Sequence, residues 1–535
     1  MKKHHTNLGI LSEPVVDDPK IAVVVIHGMG EQRPMETLRS FVKTVWQHNY
    51  NLFQGLKSGD SYHPWDIWSK PDQISGSTEL RRLTTSRARK RSSLDARGGQ
   101  RADFFELHWA DITADNKWSD FQEWFWRLLW RLPRNVPEQI RVVWGILWLL
   151  TVALICGFLL VILSQYREGL LLAGTWLDND TSRYWLPIFV FILVAFNFFI
   201  KRFLTKYFGD VARYASATPR NIQVRREARE RGLKLLNGLA ASGEYNRIIV
   251  VGHSLGSILA HDLVYLAWTE AAREIRVPTN SVLYHVIKDC EKASENLLDA
   301  AGYEPEEIDR IKDGKHKRKI DQERFSEALE IFRIKQRRLF KELASTPIQI
   351  AGQKHKSAWL ISDLITLGSP LTHAEYLLAD SFHELQMAIN RREMLRCPPV
   401  LEEHRNKQFC FFFENPKDSG YWRMHHAAAM APVRWTNIYD KPPNSYGFWL
   451  GDIISGPVSH DFGPGIADID VKIRRPEDCL GCSRKFTHTS YWDSFLHDFN
   501  SSNEIPLHVK VLQEALNFLD DPGVEKTLLE RCHWD

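Results

Sequence analysis

The chain has 535 residues, more than one ordinary hydrophobic core accommodates, so two or three structural units are expected. Its formal net charge of +3 disfavours a dedicated nucleic-acid binder, and its seven scattered cysteines disfavour a disulfide framework and indicate a reducing compartment. Residues 1–20 contain no apolar run of the kind that forms a signal peptide.

The first predicted element is a buried strand over 21–26, which runs into His27-Gly28-Met29-Gly30. Glycines let a main chain approach a neighbouring element closely, so this loop is a candidate for half of an oxyanion hole, with the N–H of Met29 as donor. The alternative is a simple glycine turn. A helix is predicted over 35–50 and another strand over 104–109.

The basic stretch 81–101 has no apolar periodicity and predicts a solvated loop. Attraction to anionic lipid headgroups is its functional alternative. Further on, 124–136 interleaves tryptophan with arginine, which is typical of a helix lying in the headgroup region.

Two apolar segments follow. Residues 142–163 carry no charged side chain and are long enough to cross a bilayer. Residues 185–200 are also apolar, but they are fewer and include Pro187 and Asn197, so this segment is ambiguous when taken alone.

The main motif of the chain lies in 248–261, where β-branched residues end in Gly252-His253-Ser254-Leu255-Gly256 and continue into an apolar helical pattern. Strand, tight turn and helix are the context in which a G-x-S-x-G turn projects a serine hydroxyl from a sheet. We therefore predict Ser254 as a nucleophile. The N–H of Leu255 is predicted to complete the oxyanion hole with that of Met29.

The order of these motifs restricts the membrane topology. Met29 precedes both apolar segments and Ser254 follows them, so the number of crossings between them must be even, which predicts an inserted two-span hairpin. The positive-inside rule then predicts that the catalytic domain faces the cytoplasm. This orientation is inferred from the basic residues at the outer ends of the two segments: Arg127, Arg131, Arg134, Arg141, Lys201, Arg202, Lys206 and Arg213.

A serine nucleophile requires a base and a carboxylate that orients it, and both are expected after the serine in this kind of fold. We expect His488, in a polar turn before an amphipathic helix over 491–496, to be the base, with His460 as the alternative. Asp440 directly follows a predicted strand over 433–439, and Asp452 follows an aromatic excursion. The residues alone leave both open as the acid.

Further features of the sequence lie outside these motifs. The charged stretch 281–345 predicts a helical insertion packed over the core, with an active-site lid as the alternative, and 360–367 predicts another strand. Cys479 and Cys482 form a C-x-x-C pair without a second such pair, so we expect reduced thiols in a loop and no metal, with a structural zinc site as the alternative. No phosphate loop or dinucleotide fingerprint is present, so no cofactor is expected.

Five motifs together resemble the lipase-like serine hydrolases of the α/β-hydrolase superfamily: H-G-M-G at 27–30, G-H-S-L-G at 252–256, L-G-S-P at 367–370, W-x-N-x-Y at 435–439 and H-x-S-Y-W at 488–492. The resemblance implies an α/β fold with a mostly parallel sheet and helices on both faces. It favours Asp452 as the acid, because the acid of such proteins lies soon after W-x-N-x-Y. The extra residues before Asp452 depart from that pattern and keep Asp440 as an alternative.

We expect a multi-pass membrane protein with two spans, in which Ser254, His488 and Asp452 cleave a carboxylic ester of a lipid or lipophilic substrate. A thioesterase or peptidase on the same fold, or an inactive membrane scaffold, are the alternatives. The expected organisation has five parts: 1–120 with the oxyanion loop, 121–215 with the interfacial helix and membrane hairpin, 216–280 with the nucleophile, 281–346 with the helical insertion, and 347–535 with the acid and base loops.

Overall fold

The computed structural model of the chain describes residues 20–28, 33–52, 67–74, 79–88, 100–113, 126–165, 214, 219–302, 321–350, 353–399, 411–412, 420–443, 451–473, 487–493 and 505–532. Its strands are β1 (Lys20–Ile26), β2 (Ile67–Pro71), β3 (Arg81–Thr85), β4 (Ala102–Leu107), β5 (Tyr245–His253), β6 (Arg276–Pro278), β7 (Ile348–Ile350), β8 (Gln353–His355), β9 (Ile361–Leu367), β10 (Tyr421–Arg423), β11 (Arg434–Tyr439) and β12 (Ala467–Asp470).

The helices of the described residues are α1 (Glu36–Val42), α2 (Ala110–Thr113), α3 (Glu138–Gln165), α4 (Pro219–Ser242), α5 (Leu255–Glu274), α6 (Val282–Ala300), α7 (Gln322–Ser345), α8 (Ala374–Leu377), α9 (Phe382–Asn390), α10 (Ser459–Phe462), α11 (Leu507–Leu516) and α12 (Pro522–Leu529). The predicted α/β class is confirmed.

One large sheet organises the molecule. Its eight strands lie in the order β12-β11-β9-β5-β1-β4-β3-β2. Strands β12 to β4 in this order run parallel to their neighbours, whereas β3 and β2 add an antiparallel edge. β1 lies between β4 on one side and β5 on the other, so the direction in which the sheet grows along the chain reverses at the β1–β5 pair.

Both faces of the sheet are covered, which explains why β1 and β5 are runs of β-branched residues rather than alternating patterns. Alternate residues of β1 enter two separate cores: Val24 packs with the cluster that contains α4 and α5, and Val23 packs with the cluster that contains α1 and α11. Helices α6 and α7, which correspond to the predicted helical insertion, pack on each other and contribute Phe332 to the first cluster.

Helix α3 contains the first predicted membrane segment. Its stretch Glu138–Gly157 has a mean hydropathy of 2.1 and is 6% buried, and within the described residues it is the one helix long and apolar enough to cross a membrane. Leu149 is 70% exposed. The second predicted segment, 185–200, lies outside the described residues.

Three local predictions were wrong within the residues that the structure describes, which exclude 89–99, 124–125 and 494–496, and a fourth was correct only in part. The start of the predicted loop 81–101 is strand β3, because its threonines pair with β2 and β4 on the edge of the sheet. The predicted helix 35–50 is confirmed over 36–47, where α1 passes directly into a π-helical turn at Lys43–Gln47, but a separate 3₁₀ turn forms its end at Tyr50–Leu52.

The other two concern the headgroup helix and the helix after the base. Within the described part of 124–136, only 126–129 is helical, and Pro133 begins a 3₁₀ turn because proline cannot continue the preceding helix. Residues 491–493 form a turn instead of starting a helix, because the Tyr491 side chain is drawn into a buried hydrogen-bond cluster described below.

Candidate active site

Ser254 occupies a strained turn between β5 and α5. Its φ of 53° is unusual for a residue with a side chain, and its ψ of −131° directs the chain sharply into the helix. The glycine at 256 permits this turn, because a Cβ there would overlap the main-chain carbonyl oxygens of Ile26 and His27. A Cβ at Gly252 would lie 2.6 Å from Ser257 Cα. Helix α5 can therefore pack directly onto the sheet.

The turn lies where the direction of the sheet reverses. At such a point the loops after adjacent parallel strands separate, and ligands of open α/β sheets bind in the resulting crevice. Gly28, just after β1, lies against the serine, because a Cβ on Gly28 would be 2.7 Å from Ser254 Cβ. The two glycine motifs recognised in the sequence are thus neighbours in space.

Ser254, His488 and Asp452 form a continuous hydrogen-bonded chain. His488 Nε2 is 2.8 Å from Ser254 Oγ, and His488 Nδ1 is 2.9 Å from Asp452 Oδ2. Since a carboxylate oxygen accepts, Nδ1 carries a hydrogen and Nε2 is left to accept the hydrogen of the serine hydroxyl. A serine paired in this way can lose its proton to the imidazole as it forms a bond to an electrophile.

Asp452 is fully buried, yet its surroundings favour the ionised form. Burial raises the pKa of its carboxyl, but the neighbouring His488 and hydrogen bonds from His488, Tyr491 and Ile454 outweigh burial and lower that pKa below its usual value. The Tyr491 hydroxyl donates to Oδ2 at 2.8 Å, and the Ile454 N–H donates to Oδ1 at 3.0 Å. The carboxylate therefore has a fixed orientation toward the imidazole.

Asp440, the other candidate for the acid, also lies in this cluster and is fully buried. Its Oδ2 accepts a hydrogen bond of 2.7 Å from the hydroxyl of Thr487, the residue before His488. The two aspartates are close in space because the Asp452 N–H donates to the Asp440 carbonyl at 2.7 Å. The extra residues before Asp452 therefore do not displace it from the end of β11.

A second buried polar network fixes the chain after Asp452. The Asn437 side chain on β11 donates to the Gly456 carbonyl at 2.9 Å and to Asp468 on β12 at 2.7 Å. Asp468 also accepts the N–H groups of Val458, at 3.1 and 3.0 Å, and Ser459, at 2.8 Å. These bonds tie the segment that follows Asp452 to strands β11 and β12 of the sheet.

The remaining predicted residues have different outcomes. Leu255 is buried and is the first residue of α5, where main-chain N–H groups have no partner within the helix. Met29 lies outside the described residues, as do Cys479 and Cys482. His460 is 61% exposed at its side chain and lies 3.0 Å from Asp461 Oδ1. The structure brings His488, and not His460, to Ser254 Oγ at a hydrogen-bonding distance.

Sequence reasoning missed several residues that support this site. The His27 Nδ1–H donates to the Gly28 carbonyl at 2.9 Å, while its Nε2 accepts the Trp109 N–H at 3.2 Å. Burial lowers the pKa of His27 to about 4, so the ring stays neutral. The Ser257 hydroxyl contacts both the Ser254 carbonyl and Ser369 Oγ at 2.6 Å. The motifs containing these residues were visible, but their partners come from distant parts of the chain.

Among the described residues no group of three or more histidine, cysteine and carboxylate side chains is arranged to bind a metal ion. Comparisons of the chain with protein-family models, with curated proteins and with solved structures found no match, so the case for its function depends on the geometry of this site.

Proposed function

We propose that the chain is a serine hydrolase that cleaves a carboxylic ester by acyl transfer. The observation that carries the proposal is the Ser254–His488–Asp452 chain, at 2.8 and 2.9 Å, beside a strained turn at the reversal point of the sheet. Ser254 Oγ attacks the ester carbonyl while His488 Nε2 accepts its proton, and the proton then passes to the leaving alcohol. In the second step water attacks the acyl carbonyl while His488 Nε2 accepts a proton from the water, and that proton then passes to Ser254 Oγ as the carboxylic acid leaves.

The developing oxyanion needs N–H donors close to Ser254. Leu255, at the start of α5, supplies one in this proposal, and Met29 supplies the other. The contact of Gly28 with Ser254 supports this assignment, because Met29 is the next residue in the chain. Asp452 holds the hydrogen of the imidazole on Nδ1 and stabilises the imidazolium that forms in each step.

We further propose that α3 anchors the enzyme in a membrane. Gly28 precedes α3 in the chain and Ser254 follows it, yet the two are in contact. If α3 spans the bilayer, the chain must cross again before α4, and 185–200 is the segment suited to that crossing. The arginines and lysines that flank the pair of segments favour a cytoplasmic catalytic domain.

The contacts of α3 support a lipid or lipophilic ester as the substrate. Gln139, in the first turn of α3, lies against the acid loop, since a Cβ on Gly456 would be 3.1 Å from Gln139 Nε2. Just before α3, Trp130 is 68% exposed and lies edge-on to Trp148. Exposed tryptophans are enriched at bilayer surfaces. A site that contacts the N-terminal end of a membrane helix lies close to esters in the bilayer.

Ester turnover tests the proposal. The full-length protein in detergent is expected to hydrolyse a short p-nitrophenyl ester, and Ser254→Ala should lower kcat by at least about 10⁴-fold. The Ser254→Ala protein must still be found in the membrane fraction, which separates loss of catalysis from loss of membrane insertion. Undiminished turnover in Ser254→Ala would overturn the assignment. A reporter fused near Trp176 should read as extracytoplasmic, and a cytoplasmic reading would refute the two-span topology.

A further inference from the structure

His253, the residue before the proposed nucleophile, has no role in the proton transfers described above, yet its ring lies against the loop of the base. The side chain is buried at the end of β5. Its ring centroid is 5.1 Å from that of His488 and 4.8 Å from the edge-on ring of Trp492. The imidazole therefore packs against two side chains of the segment that contains His488.

One hydrogen bond determines the chemical state of this ring. His253 Nε2 is 2.8 Å from the His488 carbonyl oxygen, which can only accept, so Nε2 carries the hydrogen. Burial and the nearby His488 and His27 lower the pKa of His253 to about 3, although Asp452 and the bond to the carbonyl act in the opposite direction. The ring is thus a neutral donor, and it adds no positive charge that would oppose the imidazolium formed on His488.

The side chain of His488 already uses both of its nitrogens, one toward Asp452 and one toward Ser254. Those bonds set the orientation of the ring, but the position of the ring also depends on the main chain. We propose that His253 is a positioning residue, which fixes the base by donating to the main-chain carbonyl of His488. This inference rests on the proposed hydrolase function.

The other hydrogen bonds of this turn show why the His253 bond matters for the position of the His488 ring. On the other side of the turn, the Thr487 N–H donates to the Gly451 carbonyl at 3.1 Å, and the Thr487 hydroxyl donates to Asp440. His253 supplies a hydrogen bond between the turn and β5, the strand that leads to the proposed nucleophile. Without it, the His488 ring can move relative to Ser254, and a displacement of about 1 Å in a catalytic group can cost about 100-fold in rate.

Two substitutions separate this bond from packing. Glutamine places an amide N–H the same number of bonds from Cβ as histidine Nε2, whereas methionine fills a similar volume without a donor. His253→Met is expected to lower kcat for the p-nitrophenyl ester by about 10- to 100-fold with little change in KM, and His253→Gln to remain within about fivefold of the unsubstituted enzyme. The rate of labelling by a fluorophosphonate should follow kcat, while the final extent of labelling stays complete.

Thermal unfolding in detergent verifies that each variant is folded. If His253→Met does not fold, His253→Asn replaces it, because its amide is one methylene too short to reach the carbonyl. Equal rates in the Gln and Met variants, with the unsubstituted protein labelled normally, would overturn this inference alone. An unsubstituted protein that neither labels nor hydrolyses esters would overturn the proposed function and this inference together.

Discussion

Replacing Asp452 by asparagine should abolish most activity by changing which nitrogen of His488 carries the hydrogen. Three donors converge on the carboxylate: His488 Nδ1, the Tyr491 hydroxyl and the Ile454 N–H. The Ile454 N–H can only donate, so it selects the asparagine carbonyl oxygen. The asparagine NH₂ then faces His488, whose Nδ1 must become an acceptor.

In that state the hydrogen lies on Nε2 and points at Ser254, so the imidazole cannot accept the proton of the nucleophile. In a serine triad this change of tautomer costs about 10⁴-fold in kcat, or about 5.4 kcal/mol at 1.36 kcal/mol for each factor of ten. We expect a loss of about 10³- to 10⁴-fold for Asp452→Asn, measured as kcat for a short p-nitrophenyl ester.

Asp440→Asn is the matched control, because it changes the other buried aspartate of the cluster in the same way. Asp440 accepts a hydrogen bond of 2.7 Å from the Thr487 hydroxyl, which can rotate and accept from an amide. We expect this variant to lose less than about tenfold in kcat, since only the anchor of the base loop is altered. The reasoning is refuted if Asp440→Asn is the severely impaired variant and Asp452→Asn retains most of its activity.

Three further substitutions test the framework around the site. Arg434 lies between Asp363 at 2.7 Å and Glu525 at 2.9 Å and is almost fully buried, so Arg434→Met should lower the free energy of unfolding in urea by about 3 kcal/mol; an unchanged value would argue against a buried ion-pair cluster. Burial raises the pKa of Glu106 to about 7 despite one main-chain hydrogen bond, so its protonated form stabilises the fold at low pH and this contribution is lost as pH rises through about 7. The free energy of unfolding of the unsubstituted protein should therefore fall by up to about 3 kcal/mol between pH 5 and 8.5, and Glu106→Gln should not show this fall. Parallel plots of the free energy of unfolding against pH for the two proteins would contradict this. Gly256→Ala should prevent fluorophosphonate labelling, because its Cβ would overlap two main-chain carbonyl oxygens that cannot move aside; normal labelling would show that the turn is looser than described.

The central strands were predictable because their residues carry a strong local signal. β1 and β5 contain runs of β-branched residues, which are typical of strands buried on both faces. β9 and β11 mix apolar with polar residues and are also buried along their whole length. Strand β12, with only Ala467–Asp470, gave no comparable pattern, although it carries Asp468, which fixes the acid loop. Short strands depend on their neighbours in the sheet more than on their own sequence.

The choice between the two aspartates shows a second limit. Asp440 and Asp452 both follow β11 and are both buried, so local pattern does not separate them. The Asp452 N–H to Asp440 carbonyl bond holds the two residues side by side, and their side-chain partners differ: Asp452 binds His488 and Asp440 binds Thr487. Likewise, the role of His253 depends on a carbonyl far away in the sequence.

Labelling of the full-length protein in native membranes by a fluorophosphonate tests the central claim most directly, because the reagent reacts with a serine only when a base activates it. The labelled peptide is identified by mass spectrometry, with Ser254→Ala and Asp452→Asn membranes compared at equal protein amounts. The account predicts a single modified residue, Ser254, no labelling in the alanine variant, and strongly slowed labelling in the asparagine variant. An unlabelled parent protein, or equal labelling after Ser254→Ala, would contradict it.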